Sequence, residues 1–246
     1  MANHTYGVHP HQVAELTLPE GEPPAAGWPV AVVVHGGFWT TANGGADRMV
    51  GLCADLVSRG WASWNVEYRR LGGGGDGGWP QTFGDVAAAT DHLATLTGEP
   101  LDLTRVASIG HSAGGHLTLL DAARSGATVR VRATIAQAPV TDVLHAHALG
   151  GPGVEIIETF MGGSPETRAD AYAAASPVQQ LPLGVPTLVV QGELDDLVPT
   201  PMVTAFAEAA GEECELALLP GVGHFDHLEP DSPAWATVVD WIRRFG

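Results

Sequence analysis

Residues 105–117 read Arg105-Val106-Ala107-Ser108-Ile109-Gly110-His111-Ser112-Ala113-Gly114-Gly115-His116-Leu117. The apolar run Val106–Ile109 predicts a strand, and Leu117, Leu119 and Leu120 give the following segment, Ala113 to about Arg124, the spacing of a helix. Between them stands G-x-S-x-G, Gly110 to Gly114. Glycine and serine are common, so the pattern alone is weak; between a strand and a helix it describes a tight elbow that exposes Ser112. Side chains at Gly110 and Gly114 would meet neighbouring backbone in such a turn. The helix N-terminus directs its free amides toward the serine, where they favour developing negative charge.

Outward from this elbow, strand and helix alternate almost throughout. Val30–Val34 is a short β-branched run of the kind buried on both faces. Ala46–Ser58 reads as a helix with Met49, Leu52, Cys53, Leu56 and Val57 on one stripe, ended by Gly60. Trp61–Tyr68 is a strand and Phe83–Leu96 a helix. Further strands are predicted at Ala133–Gln137, Thr187–Gln191 and Cys214–Leu219, with helices at Pro201–Ala210 and Ser232–Arg244. Val13–Leu18 alternates weakly and suggests an antiparallel edge hairpin. The alternation implies an α/β fold, a mostly parallel sheet with helices on both faces. Residues 1–246 carry no repeat or linker and are treated as one domain. Pro139–Leu183 has no strand signal, only helical patches at Val154–Met161 and Ala169–Ala175. An insertion after a strand's carboxyl end suits a short cap or lid.

A serine hydroxyl needs a base, and beyond a G-x-S-x-G elbow an acid and then a histidine are expected along the chain. After Thr187–Gln191 come Gly192-Glu193-Leu194-Asp195-Asp196-Leu197-Val198-Pro199, where Asp195 and Asp196 compete; Asp195, three residues beyond Gly192, is preferred. After the last strand comes Gly221-Val222-Gly223-His224-Phe225, making His224 the candidate base and His227 its near rival. His35-Gly36-Gly37-Phe38-Trp39 follows the Val30–Val34 strand. Its glycines allow backbone N–H groups to face a tetrahedral intermediate, with Gly37 and Phe38 as candidate donors beside Ala113. His35 reads as a brace for this loop. Trp39 and His111 are candidate substrate-binding residues, and Trp39 reads equally as packing.

Composition narrows the partners. The 28 acidic residues against 11 basic ones give a net charge of −17. Nucleic acid binding requires clustered cations, and Arg69-Arg70 and Arg243-Arg244 do not make a cluster, so no nucleic acid partner is expected. No run approaches the roughly 20 apolar residues of a membrane span, and the first residues have neither a basic leader nor an apolar stretch; a soluble, cytoplasmic protein is the expectation. Cys53 and Cys214 form no disulfide framework and read as small buried residues. His145-x-His147 and His224-x-x-His227 lack a third ligand, so no metal is expected. Gly72–Gly75 lacks the Lys-Ser/Thr of a phosphate cradle.

These motifs together resemble the α/β-hydrolase superfamily from about Tyr6 to Phe245. Gly110-His111-Ser112-Ala113-Gly114-Gly115-His116-Leu117, the His35–Trp39 loop, and Tyr6-Gly7 followed by Glu15-Leu16-Thr17-Leu18-Pro19 are similar to its esterase/lipase branch, which includes kynurenine formamidases and small bacterial carboxylesterases. The resemblance implies hydrolysis of a carboxylic ester of a small or medium acyl group through an acyl-enzyme, without a cofactor. An amide substrate, as for a formamidase or peptidase, is the first alternative. A noncatalytic binding protein of the same fold is the second. Substrate identity, acyl length and oligomeric state stay open.

Overall fold

The computed structural model describes residues 1–246. Eight strands form one sheet: β1 (Ala2–Thr5), β2 (Val13–Thr17), β3 (Trp28–Val34), β4 (Ala62–Val66), β5 (Leu101–His111), β6 (Ala133–Gln137), β7 (Thr187–Gly192) and β8 (Cys214–Leu219). Their order is β1-β2-β4-β3-β5-β6-β7-β8. The strands from β4 to β8 in this order are parallel, while the hairpin β1–β2 adds antiparallel to β4. The edge hairpin expected at Val13–Leu18 is therefore present, and its partner strand lies at the extreme N-terminus.

Period-2 alternation in β3 divides the core into two layers. Val30, Val32 and Val34 join one apolar cluster, with Val86 and Ala89 of α2 (Gln81–His92) and Leu117 and Leu119 of α3 (Ala113–Ala123). Ala31 and Val33 join the other, with Leu52 and Leu56 of α1 (Val50–Ser58) and Trp235 and Val238 of the C-terminal helix Pro233–Ile242. A strand buried on both faces is what a continuous β-branched run encodes. The helix expected from Ala46 is split: Ala46–Met49 is a 3-10 turn and the α-helix begins at Val50.

From β3 the chain moves through α1 to β4 on one side, then through α2 back across to β5 on the other. The carboxyl ends of β3 and β5 thus flank a topological switch point, where α/β sheets open a crevice for ligands. Residues between β6 and β7 cover this end. They form α4 (Val143–Ala148), α5 (Val154–Met161) and α6 (Pro165–Ala175), the first of which has no forewarning in the sequence pattern. The His116 Nε2–H on α3 donates to the Ala175 carbonyl at 2.7 Å, and Trp39 stacks on Phe160 at 4.5 Å. Both tie this layer to the elements beneath. No helix is long and apolar enough to cross a membrane.

Candidate active site

Ser112 sits between β5 and α3 with φ 55° and ψ −119°, a conformation that non-glycine residues rarely adopt. The surroundings hold it there. Its N–H donates to the Gln137 carbonyl at 2.8 Å, and its own carbonyl accepts from the His116 N–H at 3.0 Å. A Cβ at Gly114 would overlap the carbonyl oxygens of Val34 and His35, so α3 packs directly on the end of β3.

Asp195 follows β7, and its side chain is closed to solvent. The His224 Nδ1–H donates to Asp195 Oδ2 at 2.8 Å, leaving Nε2 as the free ring nitrogen. Asp195 Oδ1 accepts the N–H groups of Val198 at 2.8 Å and Leu197 at 2.9 Å. Burial alone would raise this carboxyl; the hydrogen bonds from His224 and the two amides, with the charge of His224, outweigh it and hold the group below its ordinary value. Asp196, the alternative, is exposed and makes no hydrogen bond to His224. His227 is fully buried, away from Asp195's hydrogen bonds, and burial pushes its imidazole down to about 4.

The loop after β3 lies against the elbow. A Cβ at Gly36 would meet the His111 carbonyl at 2.8 Å and Ser112 Cβ at 3.0 Å, so only glycine permits this approach. Gly37, Phe38 and Trp39 all have positive φ, at 107°, 56° and 56°. The Gly37 carbonyl accepts the Thr40 N–H at 3.0 Å and Asn43 Nδ2–H at 3.2 Å. Since a peptide unit is planar and trans, anchoring that oxygen fixes the Phe38 N–H in the opposite direction. The Gly36 carbonyl is likewise held by His35 Nδ1–H at 2.6 Å, which fixes the Gly37 N–H.

His35 is the brace that the sequence suggested. It stacks on Tyr68 with centroids 4.3 Å apart, its Nε2–H donates to Glu67 Oε1 at 3.0 Å, and Tyr68 OH donates to the His35 carbonyl at 2.7 Å. Burial would raise the Glu67 carboxyl, yet the hydrogen bond and charge of His35, the nearby Arg70 and the Tyr68 amide bring it down to about 2. Glu67 and Tyr68 lie at the end of a strand signal with no motif, and sequence reasoning passed over them.

The two candidate substrate-binding residues differ in placement. Both line the cavity in front of Ser112. Trp39 is almost fully buried and stacked under α5, so its packing role is realised. His111 uses its Nε2–H, 2.8 Å from the His224 carbonyl, to hold the histidine loop, and burial lowers its imidazole to about 3. His147 Nε2 pairs with Glu158 Oε1 at 3.0 Å across α4 and α5, which gives that histidine a structural partner.

A protein-family model, BD-FAE, matches residues 15–209, most of the chain and both the His35–Trp39 loop and the elbow. The chain belongs to the BD-FAE family. Two uncharacterized proteins of Mycobacterium tuberculosis, from strains CDC 1551 / Oshkosh and ATCC 25618 / H37Rv, are 29% identical over 181 residues. That match covers 73% of this chain, which spans only 57% of the relatives' length. Among solved structures, a truncated carbohydrate esterase from gut microbiota superposes with a TM-score of 0.85 at 18% identity, over 99% of this chain and 95% of that one. Esterase B from Lactobacillus rhamnosis (HN001) follows at 0.83 and 20%, covering 99% and 83%. Esterase 2 of Thermogutta terrifontis, phosphonylated by sarin, gives 0.80 and 20%, covering 99% and 93%. At these identities the likeness establishes the α/β-hydrolase fold.

In this BD-FAE chain the cavity in front of Ser112 encloses about 650 Å³ and is bounded by the Gly37–Trp39 loop, the Asp196–Pro199 segment and His224. Leu149, Ile156 and Ile157 from the layer between β6 and β7 give it an apolar roof, and Val140 and Met202 an apolar wall. The arrangement offers a serine hydroxyl, an imidazole with one free nitrogen and backbone amides around one cavity with an apolar roof.

Proposed function

We propose that this chain is a serine hydrolase that cleaves carboxylic esters of small or medium acyl groups through an acyl-enzyme. The observation that carries the reading is the 2.8 Å His224–Asp195 hydrogen bond opening onto the same cavity as Ser112 on its strained elbow. Ser112 Oγ attacks the acyl carbonyl and passes its proton to His224 Nε2. The resulting oxyanion takes hydrogen bonds from the amides of Ala113 and of Gly37 or Phe38; the Ala113 N–H, at the first position of α3, has no acceptor within its helix. The intermediate collapses as His224 protonates the departing alkoxide, and water then releases the acid by the reverse roles. Asp195 holds the imidazole in the required tautomer and stabilises its protonated form.

The esterase neighbours, one of them phosphonylated by sarin, support this choice of chemistry. The volume lies within the roughly 300–1,000 Å³ of small-molecule sites, and residues 139–183 act as a short cap whose apolar roof receives the acyl chain. Ser112→Ala is the decisive test: p-nitrophenyl acetate turnover is expected to fall by about 10³-fold or more, and survival at the wild-type rate overturns the mechanism. Kinetics on matched esters, formamides and peptides separate esterase from amidase, a strong formamide preference displacing the ester reading. Labelling of Ser112 by a fluorophosphonate probe is expected; a protein that stays unlabelled is a noncatalytic binder.

A further inference from the structure

We infer that Arg48 selects substrates whose leaving group carries a carboxylate, an inference that rests on the serine-hydrolase reading above. The chain has no lysine; its 11 basic residues are all arginines, set against 28 acidic ones. Most of these guanidinium groups are spent on the protein's own carboxylates, as Arg69 is on Asp85, Arg124 on Asp91 and Asp121, and Arg244 on Glu215. Arg48 is the one arginine in the wall of the catalytic cavity. It takes part in no ion pair. Of the acidic groups close to it in sequence or beside Phe225, Asp47 Oδ1 accepts the Gly45 N–H at 2.8 Å and Asp226 Oδ2 accepts the Gly223 N–H at 2.7 Å, and neither pairs with Arg48. Asp196, also in the wall, forms no ion pair with it.

The side chain is guided toward the cavity. It lies across Gly44, where an added Cβ would come within 2.7 Å of Arg48 Nε, and Gly44 has φ 81°. Its guanidinium then sits over the Phe225 ring, 5.7 Å from the centroid. Phe225 is edge-on to the His224 imidazole, with centroids 5.2 Å apart. Arg48 therefore stands on the His224 flank. That flank receives the leaving group, because His224 must protonate it, whereas the apolar roof of Leu149, Ile156 and Ile157 suits the acyl chain. A planar guanidinium with free N–H donors matches a carboxylate in a two-point contact. Against a net charge of −17, which repels anions in general, an unpaired arginine at this position is what admits one.

The test uses the full chain with 4-acetoxybenzoate and its methyl ester, which carry the same acyl group and differ in the charge of the leaving group. The kcat/KM ratio of anionic to neutral ester is compared between the wild type and Arg48→Gln, so that the intrinsic reactivities of the two esters cancel. The ratio is expected to fall about tenfold in Arg48→Gln, to fall further in Arg48→Glu, and to be partly kept in Arg48→Lys. Raising the salt should erode the wild-type ratio, because Arg48 is exposed and its charge is screened. A ratio that moves less than twofold in Arg48→Gln overturns the inference while leaving the hydrolase reading intact. Calorimetric binding of 4-hydroxybenzoate against its methyl ester gives a second readout that needs no turnover. Tighter binding of the acid by the wild type, lost in Arg48→Gln, supports the site even if neither ester is hydrolysed, an outcome that would count against the hydrolase reading alone. Equal binding of acid and ester by both proteins overturns it.

Discussion

At the scale of single residues, the proposed chemistry turns on the difference between adjacent aspartates. Asp195 accepts one imidazole N–H and two backbone N–H groups and is closed to solvent; Asp196 is exposed. Replacing Asp195 by Asn keeps the shape but removes the charge and offers an N–H where His224 needs an acceptor. Turnover of p-nitrophenyl acetate should therefore fall by about 10³–10⁴-fold with the protein still folded. Asp196→Asn should stay within a few-fold of wild type, and comparable losses in both variants would show that the acid is misassigned. Order along the chain admitted both residues and the spacing from Gly192 favoured Asp195, but a strand end followed by Asp-Asp does not show which side chain turns inward. The Val198 and Leu197 amides hold the Asp195 carboxylate in place.

At the scale of elements, the elbow and the loop after β3 behave as one packed unit. Gly114→Ala would drive a methyl group into the Val34 and His35 carbonyls, a clash with backbone that no rotamer relieves. A stability loss of about 3 kcal/mol or more is expected in chemical denaturation; a loss below about 1 kcal/mol would mean that α3 can shift away from β3. Glu67 acts more subtly. It anchors His35, whose Nδ1–H fixes the Gly36 carbonyl and so the next amide. Glu67→Gln should lower kcat by about tenfold while KM changes little, since loosening the proposed oxyanion donors affects the transition state more than ground-state binding. A rise in KM alone would place Glu67 in substrate binding. The glycines of this loop were legible because they follow a strand, but the brace beneath them comes from β4's end, about thirty residues on, and only the parallel pairing of β3 with β4 brings it there.

At the scale of the whole molecule, buried histidines should set the acid limit of stability. Burial lowers His111 to about 3 and His116 and His227 to about 4, against 6.5 for an exposed imidazole. Below pH 6.5 the unfolded chain takes up protons that the folded chain refuses, so stability rises with pH in this window and is lost as pH falls toward the folded values. Each histidine contributes up to about 1.4 kcal/mol per pH unit. Glu67 adds to the loss only below its ordinary 4.5, while Asp121, whose buried carboxyl is pushed up, opposes it. The melting temperature should therefore drop between pH 6.5 and 5, before most carboxylates titrate. His116→Gln, which can still donate to the Ala175 carbonyl, should flatten that drop; a wild-type profile level across this interval would refute the assignment.

The sequence by itself determined the strand-helix alternation, the Ser112 elbow and the glycine loop, because these depend on local periodicity and on the steric demands of a few glycines. It also limited the acid to Asp195 or Asp196 and the base to His224 or His227, preferring the first of each pair. Tertiary structure alone decided that Glu67 and Tyr68 support the loop and that His111 holds the histidine loop through its carbonyl. It alone put an unpaired Arg48 over Phe225, on the His224 side of the cavity. Those outcomes depend on contacts between segments far apart in the chain, and which side chains meet there is fixed by strand order and packing.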